Sequence, residues 1–141
     1  MIRAVMDTNV VVAALRSTEG ASYEIVQALR CGKWRCLLNN HLLLEYKEKL
    51  MEMAGSFGVS AADMDGTLTV ICAHAEEWQL RPHWHPVLPN DPDDEPLIQL
   101  AFESGAGVVV THNVRDLLPG GQLGIKVLRP REFLDKLRSE V

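Results

Sequence analysis

No run of about 18 consecutive apolar residues occurs in the chain, so nothing in it reads as a membrane span. Cysteine is scarce: Cys31, Cys36 and Cys72 are odd in number and widely spaced, which excludes a disulfide framework and a zinc-ligand pattern. They read as reduced thiols of a cytoplasmic protein. Basic excess is also lacking. The formal net charge of -5 excludes a protein held to nucleic acid by bulk electrostatics, though not an enzyme whose carboxylates hold metal ions. A signal peptide is not expected, because Arg3 is the only early basic residue and Asp7 and Asn9 break the apolar run. Aromatic residues make up 6%, and Trp34, Trp78 and Trp84 read as core or interface anchors rather than base-stacking platforms. His83 and His85 flank Trp84 without a third ligand, so they read as surface or interface residues. Repeats, linkers and low-complexity tracts are absent.

What remains is the composition of a globular protein. Hydrophobic residues make up 47% and charged residues 23% of 141 residues, enough for a single domain over 1–141 with a real core. Strands are predicted over 2–6, 34–39, 106–111 and 125–130, with a shorter one near Val87-Leu88 in the proline-rich stretch 81–93. Helices are predicted over 20–31, 40–54 with Asn40 as N-cap, 60–78 behind a Ser60/Asp63 capping box, 95–105 between Pro96 and Gly105, and 130–141. Strands alternating with helices give an α/β fold with a largely parallel sheet of about four to five strands.

Against this pattern the acids stand out. Asp7 sits in "AVMDTNVVVAAL", where an unpaired buried charge would be costly. In open α/β sheets ligands bind beyond the carboxyl ends of the strands. Asp7 ends the first strand, and Thr111, His112, Asn113 and Asp116 follow the "VVV" strand. Asp94 opens the helix before that strand, where the helix dipole should favour its ionised form. At ~100° per residue, Glu45 falls on the margin of the apolar face formed by Leu42, Tyr46 and Leu50, so it can reach over the sheet. Each acid also has a bland role. Asp7 could cap "TNVVVAAL", Glu45 could pair with Lys49 at i,i+4, Asp94 could belong to a solvated acidic turn with Asp91, Asp93 and Glu95, and Asp116 could be a turn residue. Their joint convergence favours an oxygen-rich site suited to Mg²⁺ or Mn²⁺.

These residues carry a resemblance. "VMDTNVVVAAL", "LLNNHLLLEYKEKL" and "NDPDDEPLIQLAFESGAGVVVTHNVRDLL" resemble, in order and nearly end to end, the motifs of PIN-domain proteins, in particular toxin components of toxin–antitoxin systems (VapC-like ribonucleases). The resemblance implies a three-layer α/β/α sandwich. It also implies a Mg²⁺- or Mn²⁺-dependent endoribonuclease that leaves a 5′-phosphate and a 3′-hydroxyl. Asp7, Glu45 and Asp94 match the principal metal-binding acids. Asp116 matches the fourth acid of many relatives, but some members carry aspartate where this chain has Asn113. The fourth ligand is therefore Asp116, Asn113 through water, or absent. Thr8, Asn9, Thr111 and Asn113 match positions that support the ligands. The implied partners are an RNA substrate, a small antitoxin protein and a second copy of the chain.

RNA grip must come from local cations on this acidic chain. Arg16 and Arg115 lie nearest the expected mouth, whereas Lys126, Arg129, Arg131, Lys136 and Arg138 read as solvated faces. Two other readings compete. A haloacid-dehalogenase-type phosphohydrolase would use Asp7 as nucleophile, but Asn9 stands where its second aspartate belongs. A PIN-like scaffold could bind RNA or protein without cleaving.

Overall fold

The computed structural model describes residues 1–53, 56 and 58–140. The expected ends of two helices, Ala54 and Val141, lie outside the described residues. Among these residues, five strands form one parallel sheet: β1 (Ile2–Met6), β2 (Trp34–Leu38), β3 (Ala75–Glu77), β4 (Val108–Val110) and β5 (Lys126–Leu128), in the order β3-β2-β1-β4-β5. Seven α-helices of the described residues flank it: α1 (Thr8–Arg16), α2 (Ala21–Arg30), α3 (Asn40–Glu52), α4 (Ala61–Ala73), α5 (Glu95–Glu103), α6 (Val114–Leu117) and α7 (Pro130–Ser139). The result is the α/β/α sandwich expected from the sequence.

The central strands are apolar because both their faces are covered. Ala4, Val5, Met6, Val109 and Val110 are fully buried. Gly105 closes the α5–β4 connection at φ 77°, a conformation that a side chain would strain. At the other end of the core, Trp34 meets Phe133 edge-on at 5.0 Å and donates its indole N–H to the Ile25 carbonyl at 3.0 Å. That contact ties α7 and α2 to β2.

Local pattern misplaces three features. The helix expected over 60–78 keeps its Ser60/Asp63 capping box but stops at Ala73. Residues 75–77 become β3, because pairing Cys36 with Ala75 and Leu38 with Glu77 satisfies the outer backbone groups of β2. The strand expected near Val87-Leu88 does not form, since both amides donate to the Glu95 carboxylate rather than to a ladder. The N-cap of α3 is Asn39, not Asn40: the Asn39 side chain accepts the Leu42 amide at 2.8 Å. No helix of the described residues is long and apolar enough to cross a membrane.

The strand order fixes where ligands can bind. From β1 the chain moves outward to β2 and β3, then returns to β4 on the other side of β1. The crevice beyond the carboxyl ends of β1 and β4 is the switch point at which open α/β sheets bind ligands.

Candidate active site

Asp7 follows β1 at this switch point, and its amide extends the ladder by donating to the Val110 carbonyl at 2.9 Å. The residue occupies the N-cap position of α1, yet its carboxylate makes no capping hydrogen bond. It accepts instead from the Thr111 hydroxyl, just after β4, at 2.6 Å. Asn9 completes the link between the two strand ends. Its amide nitrogen donates to Thr111 Oγ1 at 3.4 Å and its oxygen accepts the His112 amide at 3.3 Å. Asp7 is buried, and burial is the main force pushing its pKa up, with the Glu45 charge adding to it. The Thr111 hydroxyl pulls it partly back, with smaller help from the backbone N–H groups of Thr8 and Asn9, which lie near the carboxylate without capping geometry.

Glu45 reaches the same place from α3. Leu42, Tyr46 and Leu50 bury one face of that helix, and the Tyr46 hydroxyl donates to the carbonyl of Met6, the residue before Asp7. This anchor sets Glu45 beside the head of α1, where the Thr8 hydroxyl donates to its carboxylate. Lys49 pairs with Glu52 at 3.5 Å, an exposed contact of little energetic weight, so Glu45 is not simply its helix partner.

Asp94 arrives on the short 3-10 turn Pro92–Asp94 that leads into α5. Its pKa is raised to about 8. Burial is the first cause, followed by a side-chain hydrogen bond shared with Asp91 and the charges of Asp7, Asp91 and Glu45. The sequence expectation that the helix dipole favours the ionised form is therefore corrected: desolvation and neighbouring carboxylates outweigh the dipole.

Asp7, Glu45 and Asp94 line one cleft of about 550 Å³, together with Arg16, Lys49 and His112. Asp116 does not line it. It sits exposed on α6, as does Arg115. Asn113 is turned to supporting contacts: its amide donates to Thr111 Oγ1 at 2.9 Å and its side chain to Asp91 at 3.3 Å. Among the described residues, no group of three or more Asp, Glu, His or Cys side chains is arranged so that it would already hold a metal ion. The donor set nevertheless fits a hard divalent cation: its side chains offer oxygen atoms, and Asp7 and Asp94 carry raised pKa values that a cation would relieve.

Sequence reasoning placed Asp91, Lys49 and His112 near the acids, as a turn acid, a helix partner of Glu45 and a residue after β4, but gave none of them a part in the site. Asp91 was legible only as part of an acidic run. His112 adjoined a predicted mouth residue, and its contact with the Ser22 hydroxyl at 3.3 Å depends on where α2 packs. A family model described as PIN domain matches residues 3–115, a stretch that contains the three acids of the cleft and ends just before Asp116. No curated protein and no solved structure matches the chain.

Proposed function

The chain belongs to the PIN domain family, whose members are nucleases, and on that premise we propose that it is a divalent-cation-dependent endoribonuclease serving as the toxin of a toxin–antitoxin pair. One observation carries the reading. Carboxylates from three distant segments, Asp7, Glu45 and Asp94, share a cleft at the sheet's switch point, and burial and mutual repulsion keep Asp7 and Asp94 from ionising easily. Such an arrangement is costly for a scaffold and useful for a metal site.

Asp7, Glu45 and Asp94 would hold Mg²⁺ or Mn²⁺, with Asp91, which lies against Asp94, as a further acid. When bound, the cation would lower the pKa of a water and neutralise charge on the scissile phosphate. The chain's own contribution is orientation. Thr111 and Thr8 each engage one carboxylate oxygen, fixing the planes of Asp7 and Glu45 before any cation binds. Asn9 and Asn113 hold Thr111 in turn. Arg16, Lys49 and His112 border the acids and would receive the phosphates of single-stranded RNA. Arg115, further out on α6, would contribute at most a peripheral contact. One domain over residues 1–141 would act in the cytoplasm, restrained by a small antitoxin protein and able to pair with a second copy.

Cleavage of an RNA panel by the purified protein tests this. Activity should require Mg²⁺ or Mn²⁺, vanish in Asp7→Asn and Asp94→Asn, and fall strongly in Glu45→Gln. Full activity of folded Asp94→Asn would remove Asp94 from the site, and cleavage undiminished in EDTA would end the metal reading.

A further inference from the structure

Residues 81–91 have no regular structure, yet one side of α5 holds them firmly. Glu95, Gln99 and Glu103 recur at i, i+4 and i+8 and so share a helix face. Glu103 accepts the Arg81 amide at 2.8 Å, and Gln99 donates to the Arg81 carbonyl at 2.9 Å. Trp84 packs on Phe102 with ring centroids 5.9 Å apart. Glu95 is the buried carboxylate of the row, with Gln99 buried beside it. Its Oε1 accepts the Trp84 indole N–H at 3.1 Å and the Val87 amide at 2.6 Å, and its Oε2 accepts the Leu88 amide at 2.9 Å. Among the described residues no cation pairs with it, so three N–H donors alone satisfy a buried carboxylate.

This clamp lies directly beside the cleft. Glu95 is the first residue of α5, and Asp94 immediately precedes it on the turn that begins after Asp91. At the turn's other end, Asp91 accepts the Asn113 side chain beyond β4. The turn that presents Asp91 and Asp94 is thus fastened on one side to the end of β4 and on the other to the strap over α5. We propose that Glu95 is a positioning residue whose three-donor clamp on residues 84–88 fixes the Asp91–Asp94 turn, so that the clamp and divalent-cation binding in the cleft are coupled. The proposal rests on the cation-binding reading of the cleft given above.

Coupling is reciprocal, so each side can be read from the other. In the full-length wild type, Mg²⁺ should slow hydrogen exchange at the Val87 and Leu88 amides and the Trp84 indole, none of which belongs to the acid cluster. Glu95→Gln retains only one acceptor oxygen for donors that now use two, and sets an N–H against an N–H. Its Mg²⁺ Kd by calorimetry should rise about 10–100-fold, as when an outer partner of a metal site is lost. Glu103→Gln loosens the far end of the same strap and should leave the Kd unchanged. If Glu95→Gln does not fold, Trp84→Phe removes one donor while keeping the ring against Phe102, and should show a smaller rise. An unchanged Kd in the folded clamp variant, an equal rise in Glu103→Gln, or Mg²⁺ binding without protection of Val87 and Leu88 would each overturn the coupling. Failure of the wild type to bind either Mg²⁺ or Mn²⁺ would instead defeat the reading of the cleft, before any variant is compared.

Discussion

At pH 8 and without divalent cations, Asp94→Asn should melt above the wild type. In the folded chain the Asp94 carboxyl holds its proton up to about pH 8, against 3.8 ordinarily. Between these values the folded state binds the proton and the unfolded state has released it, so stability falls as pH rises. Below about pH 4 both states are protonated and the penalty is absent; above about pH 8 both are ionised and it is complete. For a fully desolvated carboxyl, ~1.4 kcal/mol per pH unit would bring the penalty to ~6 kcal/mol. Asp94 is only half-buried, and water screens the charges around it, which lowers the expected cost to ~1–3 kcal/mol. Asparagine removes the charge and keeps a donor toward Asp91, as the protonated acid does. At roughly 3 °C per kcal/mol for a chain of this size, the variant should gain ~3–9 °C at pH 8. Calorimetric melts in EDTA at pH 5, 6.5 and 8 would follow the gap, which should widen with pH. Millimolar Mg²⁺ should then raise the wild type and leave the variant nearly unmoved. A variant that melts below the wild type at pH 8, or a gap that ignores pH, would refute the claim that Asp94 is strained by burial and its acidic neighbours.

Asp7→Asn should likewise melt no lower than the wild type in EDTA and lose most of its thermal response to Mn²⁺; collapse of the cation-free fold would make Asp7 a structural residue. Tyr46→Phe removes the hydroxyl bond to the Met6 carbonyl and should cost ~1–3 kcal/mol in urea unfolding, since that buried carbonyl loses its side-chain donor. Lys49→Gln should lower the slope of log Kd against log salt for a single-stranded RNA by about one, measured by anisotropy in EDTA; an unchanged slope would place Lys49 off the RNA path. Trp34→Ala, far from the cleft, should cost ~3–5 kcal/mol by chemical denaturation while cation affinity at low temperature stays near that of the wild type.

The sequence by itself determined the parts of this protein that depend on neighbours along the chain. Apolar runs marked β1, β2 and β4, and the Ser60/Asp63 pair marked the start of α4. The spacing of Leu42, Tyr46 and Leu50 left Glu45 on a helix margin. The position of Asp7 at a strand end and of Thr111 after "VVV" pointed to one mouth of a parallel sheet. Tertiary structure decided what depends on residues far away. Ala75–Glu77 has no strand pattern and is a strand only because the edge of β2 accepts it. Glu95 and Asp94 are adjacent and chemically alike. One is buried under three N–H donors from residues 84–88; the other is raised to about 8 beside Asp91, Asp7 and Glu45. Periodicity is a local property, but the solvation and charge around a carboxylate are set by which distant groups the fold brings against it.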